Sequence, residues 1–382
     1  MKNNMLESTL PRDASEGVVR RLYIDQSHVR RQLTGIERVA VELFAPEALA
    51  PHDVRAVRCR SLIDMTITQH VILPILGLLN RSAWFVFPGF PPGPLSVALG
   101  KRCLIYVHDT FLLTRPQDLN WKARLYMKPS FAWAIHHGRN FLVNSETTGR
   151  ALRRLTSADA RISLLRPRVR DVFGLANEPW NAPWTPGTPL RILAIGTIEP
   201  RKNYAAAIEI VRALNASGVP AELDLVGRVG WGQHEFLSDP PAFLTLHGYV
   251  DDAGLRRVMK GCHLLLSTSS AEGLGLPLLE VQHGSLPVVA PKGEVFDEVL
   301  GSSGLLIDVS NPQHAAQMIA SLATDPDRLG AAAIASRANV ARWNNLAADD
   351  LNRFRAYIAQ GLADRSASDS AKHEALKPRP RL

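Results

Sequence analysis

The chain is short of cysteine, of long apolar runs and of compact clusters of charge, and each shortage removes a class of protein. Three cysteines occur in 382 residues, Cys59, Cys103 and Cys262. They lie far apart, so their spacing supports neither a disulfide framework nor a thiolate metal site, and such scarcity fits a reducing cytoplasm. No apolar stretch approaches the roughly 20 residues needed to cross a bilayer. The longest, Val71 to Leu79, contains Pro74. The polar start, Met1 to Gly17, lacks the apolar core of a secretory signal. No Asp-x-Asp pair ends a strand, so no metal and no resident cofactor is expected. The formal net charge is +8, but no run of Lys and Arg reads as a nucleic-acid arm and no zinc-finger spacing is present. A nucleic-acid partner is therefore not expected, whereas anionic small molecules and acidic lipids both fit the sign.

What is present is apolar material for two cores. Hydrophobic residues make up 46% and charged residues 21%, as in a soluble globular protein, and the length suggests two domains. Short apolar runs alternate with helical patterns. Leu22 to Ile24 reads as a strand ending at Asp25, followed by a helix from Ile36 to Leu43. Further strands are expected at Val54–Val57, Ala83–Phe87, Cys103–Val107, Phe141–Val143 and Ile162–Leu165. A proline-rich stretch, 171–189, with Trp180 and Trp184, reads as a linker. The alternation then restarts with strands at Ile192–Ile195, Leu223–Val226, Phe243–Leu246, Leu264–Leu266, Val288–Ala290 and Leu305–Ile307. Alternating strand and helix implies parallel sheets covered on both faces. The expected layout is a variable or disordered start (1–20), a first Rossmann-like domain (21–170), the linker, and a second Rossmann-like domain (190–345). A C-terminal helix (346–363) and a disordered Ser-, Lys- and Pro-rich tail (364–382) complete it.

The most informative segment is Ala271-Glu272-Gly273-Leu274-Gly275-Leu276-Pro277-Leu278-Leu279-Glu280. It follows a buried strand. Gly273 and Gly275 allow a tight turn and close backbone approach, and Pro277 suits a helix start. Glu280 should lie in the first turn of that helix, on its exposed side. The segment sits where open α/β sheets bind ligands. A second motif, Gly196-Thr197-Ile198-Glu199-Pro200-Arg201-Lys202-Asn203, follows a strand and opens a helix. Two adjacent cations at a helix start oppose the helix dipole unless an anion sits there, which makes Arg201 and Lys202 candidate diphosphate ligands. In the first half, Thr34-Gly35-Ile36-Glu37-Arg38 opens a helix after the first strand, with Thr34 a candidate cap. His108-Asp109 ends the strand Cys103–Val107. Asp109 is expected to orient His108 or cap the next turn, Asn144-Ser145-Glu146 to cap a helix, and Asp251 to cap another.

These motifs resemble glycosyltransferase family 4, which has the GT-B fold. The family carries two glutamates with seven residues between them in an E-G-F-G-L-P-x-x-E context. Here they are Glu272 and Glu280, with Leu274 in place of the usual Phe. The resemblance implies two Rossmann-like domains facing across a cleft, and retention of configuration when a hexose moves from a nucleotide-diphosphate sugar to an acceptor. It gives Glu272 the donor sugar, Glu280 the ribose hydroxyls, and Arg201 and Lys202 the leaving diphosphate. His108 falls near the reacting sugar, and Gly35, Gly196, Gly273, Leu274, Gly275 and Leu276 on the donor. By prevalence in the family the donor expected first is GDP-mannose, and the acceptor a glycan or lipid-linked sugar of a surface polysaccharide. The motif departs from the family at Ser285, where a Gly is usual, and at Pro167-Arg168-Val169-Arg170-Asp171.

Three other readings stay open at this level. A nucleotide-sugar 2-epimerase shares the architecture, a non-catalytic nucleotide-sugar-binding protein would need the same cleft, and nucleic-acid binding rests on charge alone. The stretch Trp121 to Lys128, with Phe131 and Trp133 beyond it, mixes aromatics and cations. It could rest as a peripheral contact on the inner face of an anionic membrane, although an ordinary helix with its aromatics in the core is the favoured reading.

Overall fold

The protein is described from a computed structural model, which covers residues 18–29, 35–119, 121, 123–176 and 184–361. The expected N-terminal and C-terminal disorder, the cap at Thr34 and much of the linker, including Trp180, lie outside these residues. Among the described residues, twelve strands form two six-stranded sheets, all pairings parallel. The first sheet comprises β1 (Arg21–Asp25), β2 (Asp53–Val57), β3 (Trp84–Phe87), β4 (Cys103–Val107), β5 (Asn140–Val143) and β6 (Arg161–Leu164), in the order β2-β1-β3-β4-β5-β6. The second comprises β7 (Leu190–Ile195), β8 (Ala221–Val226), β9 (Leu244–Gly248), β10 (Leu264–Leu266), β11 (Val288–Pro291) and β12 (Gly304–Ile307), in the order β12-β11-β10-β7-β8-β9. Every expected strand is present, with ends moved by at most two residues.

The strands are continuous apolar runs because helices cover both faces of each sheet. Leu22, Ile24, Phe85, Val86, Leu104 and Leu142 are fully buried in the first sheet, as are Ile192, Leu193, Leu223, Leu225 and Leu264 in the second. Each sheet reverses its direction of growth once. In the first, the chain builds β2 on one side of β1 and β3 on the other; in the second, β8 and β9 lie on one side of β7 and β10 on the other. Crevices open at such reversals, beyond the carboxyl ends of the strands. The two crevices, after β1/β3 and after β7/β10, set where a ligand can sit.

The last helix departs from the expected layout. Instead of a helix ending near residue 345 and a second from 346, one unbroken helix runs from Pro326 to Gln360, 35 residues, about 52 Å at 1.5 Å per residue. Its first half packs on the second domain through Trp343, whose indole donates to the Pro167 carbonyl at 3.0 Å. Its second half crosses to the first domain and buries Phe354, Tyr357 and Ile358 against Leu22, Trp84 and Leu104. Nothing in the sequence interrupts the helix between these halves: Trp343 to Phe354 holds no Gly or Pro. At the crossing, the fully buried Asp350 accepts from the Arg166 backbone and guanidinium at 3.2 and 2.9 Å, and Arg353 closes on it from the next turn. The segment 167–171, where the family pattern is absent, is held by this helix: the Val169 amide donates to Asn344 at 2.8 Å.

Candidate active site

The second-domain crevice is built by two loops that lean on each other. After β7 the chain turns at Gly196, whose φ of +138° disfavours any L side chain; a Cβ there would also press on Lys202 and Tyr204 at 3.1 Å. The turn passes Glu199 and a short 3-10 segment, Pro200–Lys202, then Asn203 in the left-handed region at φ +51°. The helix Tyr204–Ala216 starts only after that. Arg201 and Lys202 therefore precede the helix rather than sit in its first turn. After β10, Thr268 and Ser269 are buried, and Thr268 donates to the Lys202 and Asn203 carbonyls at 3.1 and 2.9 Å. The loop turns at Gly275 (φ +81°) into a helix of five residues, Leu276–Glu280.

Where the cations point is the central result. Arg201 donates to Glu272 at 2.7 Å, to Glu199 at 2.5 Å and to the Ala271 carbonyl at 2.6 Å. Lys202 donates to the other Glu272 oxygen at 2.6 Å. The anion that answers the two cations is thus the first glutamate of the other motif, some seventy residues away. Burial pushes the Glu272 carboxyl up, but Lys202 and Arg201 outweigh burial and hold it down at about 2. It is a fixed negative charge flanked by two fixed positive ones, in a crevice lined also by Tyr204, Ser267, Ser269 and Pro277.

Glu280 differs from expectation. It is the last residue of its helix, not in an exposed first turn, because a 3-10 turn (Val281–Gly284) and Ser285 at φ +66° end the helix there. Its side chain is mostly buried and meets Arg38 at 3.2 Å across the interdomain boundary. A single contact does not offset desolvation. Burial raises the Glu280 carboxyl to about 7, with Arg38 opposing and Asp252 and Glu42 adding. Leu274 is buried in the second-domain core, and Leu276 packs against the cores of both domains. Their side chains are committed to packing, which leaves their backbone for a ligand.

The first domain closes the cleft from above. His108 follows β4, and its Nε2 donates to the Pro88 carbonyl at 2.7 Å. Burial lowers the imidazole to about 4, with the Pro88 carbonyl opposing, so it is neutral near pH 7. Asp109 caps the turn after it, accepting from the Phe111 amide at 2.9 Å, as expected. Gly273 slides beneath: a Cβ would stand 2.5 Å from the His108 carbonyl oxygen, so only glycine allows this approach. Its own carbonyl accepts from Ser145 and Thr148, each at 3.2 Å. Ser145 also caps its helix, and Asp251 caps another, both as expected. Arg201 lies over the Phe111 ring at 5.6 Å, and Arg115 donates to Ser270 at 2.9 Å. Gly35 opens the helix Gly35–Leu43, and among the described residues no heavy atom outside its own turn of chain lies within 4 Å of where its Cβ would be.

One residue of this wall escaped the sequence reading. His28 follows β1 at the first sheet's reversal and is 8% exposed. It packs at 5.6 Å from Phe90 and so close to Gly89 that a Cβ there would overlap the ring. Neither ring nitrogen has a hydrogen-bond partner among the described residues. Burial lowers its pKa, with Asp25 and Glu37 opposing. Only the topology, which brings β1 and β3 together at a crevice, picks it out from other lone histidines. Among the described residues no three His, Cys, Asp or Glu side chains converge as a metal site would require.

Two facing six-stranded parallel sheets, with charged loops meeting at their crevices and a last helix that returns to the first domain, define the GT-B architecture. Solved structures share it. WaaG, a glycosyltransferase involved in lipopolysaccharide biosynthesis, superposes with a TM-score of 0.63 at 14% identity, over 90% of this chain and 100% of that one. Anabaena HepE in complex with UDP-glucose gives 0.61 at 14% identity, over 87% and 98%. Residues 180–338 match the family model described as glycosyl transferases group 1, and the second domain belongs to that family. Among curated proteins, 171 residues are 28% identical to the O-antigen chain mannosyltransferase B of Escherichia coli, covering 43% of this chain and 45% of that protein. The chain thus spans less than half the length of this curated relative.

Proposed function

We propose that the chain is a retaining glycosyltransferase that moves a hexose from a nucleotide-diphosphate sugar to a glycan or lipid-linked acceptor. The observation that carries this reading is the triad Glu272, Arg201 and Lys202, fixed at the β7/β10 reversal directly under Gly273 and His108. Phosphate departure develops negative charge, and preorganised cations in a water-poor crevice stabilise that charge in the transition state. Arg201 and Lys202 take this role. Glu272, kept ionised by them, accepts hydrogen bonds from hydroxyls of the donor sugar. Glu280 takes the ribose hydroxyls, since it lies one helix further from the sheet edge. The neutral His108 faces the sugar from the first domain, and Gly35 and Gly196 leave room for the diphosphate. Donor and acceptor oxygens share one face of the sugar, the departing phosphate taking the acceptor proton. The mannosyltransferase relative supports mannose as the sugar, and GDP-mannose is the donor to test first.

The deciding experiment incubates GDP-mannose, and UDP-glucose as comparison, with the full chain and a panel of glycan and lipid-linked acceptors in EDTA. The expected result is transfer to an acceptor, with the donor's anomeric configuration kept in the first-formed product by nuclear magnetic resonance. Inversion, epimerisation without acceptor, or strict dependence on added metal would each overturn the reading.

A further inference from the structure

The first domain carries an apolar face that the cleft does not use. Residues 62–79 form one helical rod, Leu62–Ile67 and Leu73–Leu79 joined by a wider π turn, Thr68–Ile72. Its inner side is buried through Thr68, Gln69, Leu73, Pro74 and Gly77. Its outer side presents Ile63, Ile67, Val71, Ile75 and Leu79, one every four residues, and they are 43–76% exposed together with Ile72 and Leu78. A helix on a water-soluble surface carries polar residues on that side. The face continues beyond the rod. Ser96 donates to the Gln69 carbonyl at 3.0 Å, which ties the turn Pro94–Val97 with its exposed Leu95 to the rod. That turn packs on the helix Lys128–His137, where Trp133 is 44% exposed, next to Leu125 at 59%. Of the aromatics expected in the core of this region, Phe131 is there, but Trp121 and Trp133 face out.

Charge around the face is predominantly positive. Residues 62–108 and 119–145 together contain seven Lys or Arg, among them Arg81, Arg124 and Lys128, against one acidic residue, the exposed Asp64 near the start of the rod. A second copy of the chain docked on this face would bring like charges together, whereas anionic headgroups would answer them. The face also adjoins the cleft. The segment from Pro88, which accepts from His108, to Gly93, which packs on His70 of the rod, joins the two.

We infer that this face of the first domain, the rod 62–79 with Leu95, Leu125 and Trp133, is a docking surface for an anionic lipid bilayer. Apolar side chains enter the acyl boundary while the surrounding cations meet the headgroups. Docked this way, the chain presents its cleft at the membrane surface, where a lipid-linked acceptor would reside. Among the described residues no helix is long and apolar enough to span the bilayer, so the contact is peripheral and reversible. The docking face is independent of the transferase reading; only the acceptor's location rests on that reading.

The test uses the full chain and co-sedimentation with vesicles of phosphatidylglycerol mixed with phosphatidylcholine, against phosphatidylcholine alone. Binding should be at least about fivefold tighter to the anionic vesicles and weaken with salt, because several cations contribute. The triple variant Ile67→Glu, Val71→Glu, Ile75→Glu should lose at least about tenfold in vesicle binding. These positions are already exposed, so thermal unfolding and GDP affinity should stay as in the parent, and failure of GDP to bind the parent would count against the transferase reading alone. Vesicle binding unaffected by the triple variant would overturn the inference. So would absence of vesicle binding, or a dimer in sedimentation velocity that the same variant dissolves.

Discussion

The two walls of the cleft are built on the same topological feature and handle charge in opposite ways. The second-domain wall concentrates ions and answers them internally: Arg201 pairs with both Glu199 and Glu272, and Lys202 pairs with Glu272. The first-domain wall pushes its titratable groups toward neutrality. Burial lowers His28 and His108 and raises Asp109. A wall of fixed ions suits a reaction that develops charge, because the field is in place before the bond breaks. A wall of neutral donors and acceptors suits a polyol, whose hydroxyls can bond it without a large desolvation cost. The difference supports the proposed placing of the donor on the second domain and the acceptor on the first.

The largest expected effects come from disturbing the ionic wall. Lys202→Ala should lower turnover by about 100-fold or more, the scale for removing a preorganised stabiliser of developing charge, and should weaken GDP binding in calorimetry. Glu272→Gln should lower turnover similarly yet leave GDP binding unchanged or tighter, since it releases both cations for the diphosphate. Loss of GDP binding in Glu272→Gln would break the comparison, because it would make the carboxylate part of the nucleotide site rather than the sugar site.

The next prediction sets one group of each wall against the other. Glu280 titrates at about 7 when folded and near 4.5 when unfolded. Between these values the folded chain holds a proton that the unfolded chain has released, so this group's stability contribution is lost as pH rises from 4.5 to 7. His108 titrates at about 4 when folded and near 6.5 when unfolded. There the unfolded chain binds the extra proton, so stability rises as pH rises from 4 to 6.5. Each shift corresponds to at most about 3 kcal/mol, and the two largely cancel in the parent. Urea unfolding at pH 4.5 and 6.5 should therefore show Glu280→Gln gaining stability toward higher pH relative to the parent, and His108→Gln losing it. Burial pushes both groups toward neutrality, so slopes of the same sign in the two variants would show that one of them is not desolvated as the structure places it.

The sequence exposed the ionic wall and most of the fold for one physical reason: both are local. Strands buried on two faces read as apolar runs, and the glycines and charges of 196–203 and 271–280 lie at fixed offsets from strand ends. What it hid depends on contacts distant in the chain. That Arg201 and Lys202 spend their charge on Glu272 follows from β7 and β10 being neighbours. Glu280 reads as exposed until Arg38, 242 residues away in sequence, is placed beside it. The unbroken helix Pro326–Gln360 reads as two because its apolar face turns from one domain to the other midway. His28 shows the same limit, and it yields a smaller effect. With neither nitrogen partnered among the described residues, and the first domain proposed to take the acceptor, His28→Ala should raise the acceptor KM by about three- to tenfold, the worth of one neutral hydrogen bond, and leave the donor KM alone. An effect on donor alone would move His28 to the other side of the comparison.

The smallest predicted effect concerns how the ionic wall ends. Ser285 terminates the turn after Glu280 at φ +66° and ψ 16°, and it is 5% exposed. An L residue in this region costs about 1–2 kcal/mol relative to the right-handed one. Glycine removes that cost but gives back about 0.5–1 kcal/mol through the freer unfolded chain. Ser285→Gly should therefore stabilise the protein by about 0.5–1 kcal/mol, a rise of about 2 °C in melting temperature for domains of this size. Asn203 is the control on the other loop of the same wall: it holds φ +51°, but asparagine tolerates the left-handed region, so Asn203→Gly should gain less. If Ser285→Gly also changes GDP affinity, the strained turn is helping to hold Glu280 in place, and the ionic wall depends on backbone strain as well as on its ion pairs. If stability falls instead, the buried hydroxyl contributes more than the backbone costs, and the serine is a better end to this turn than glycine.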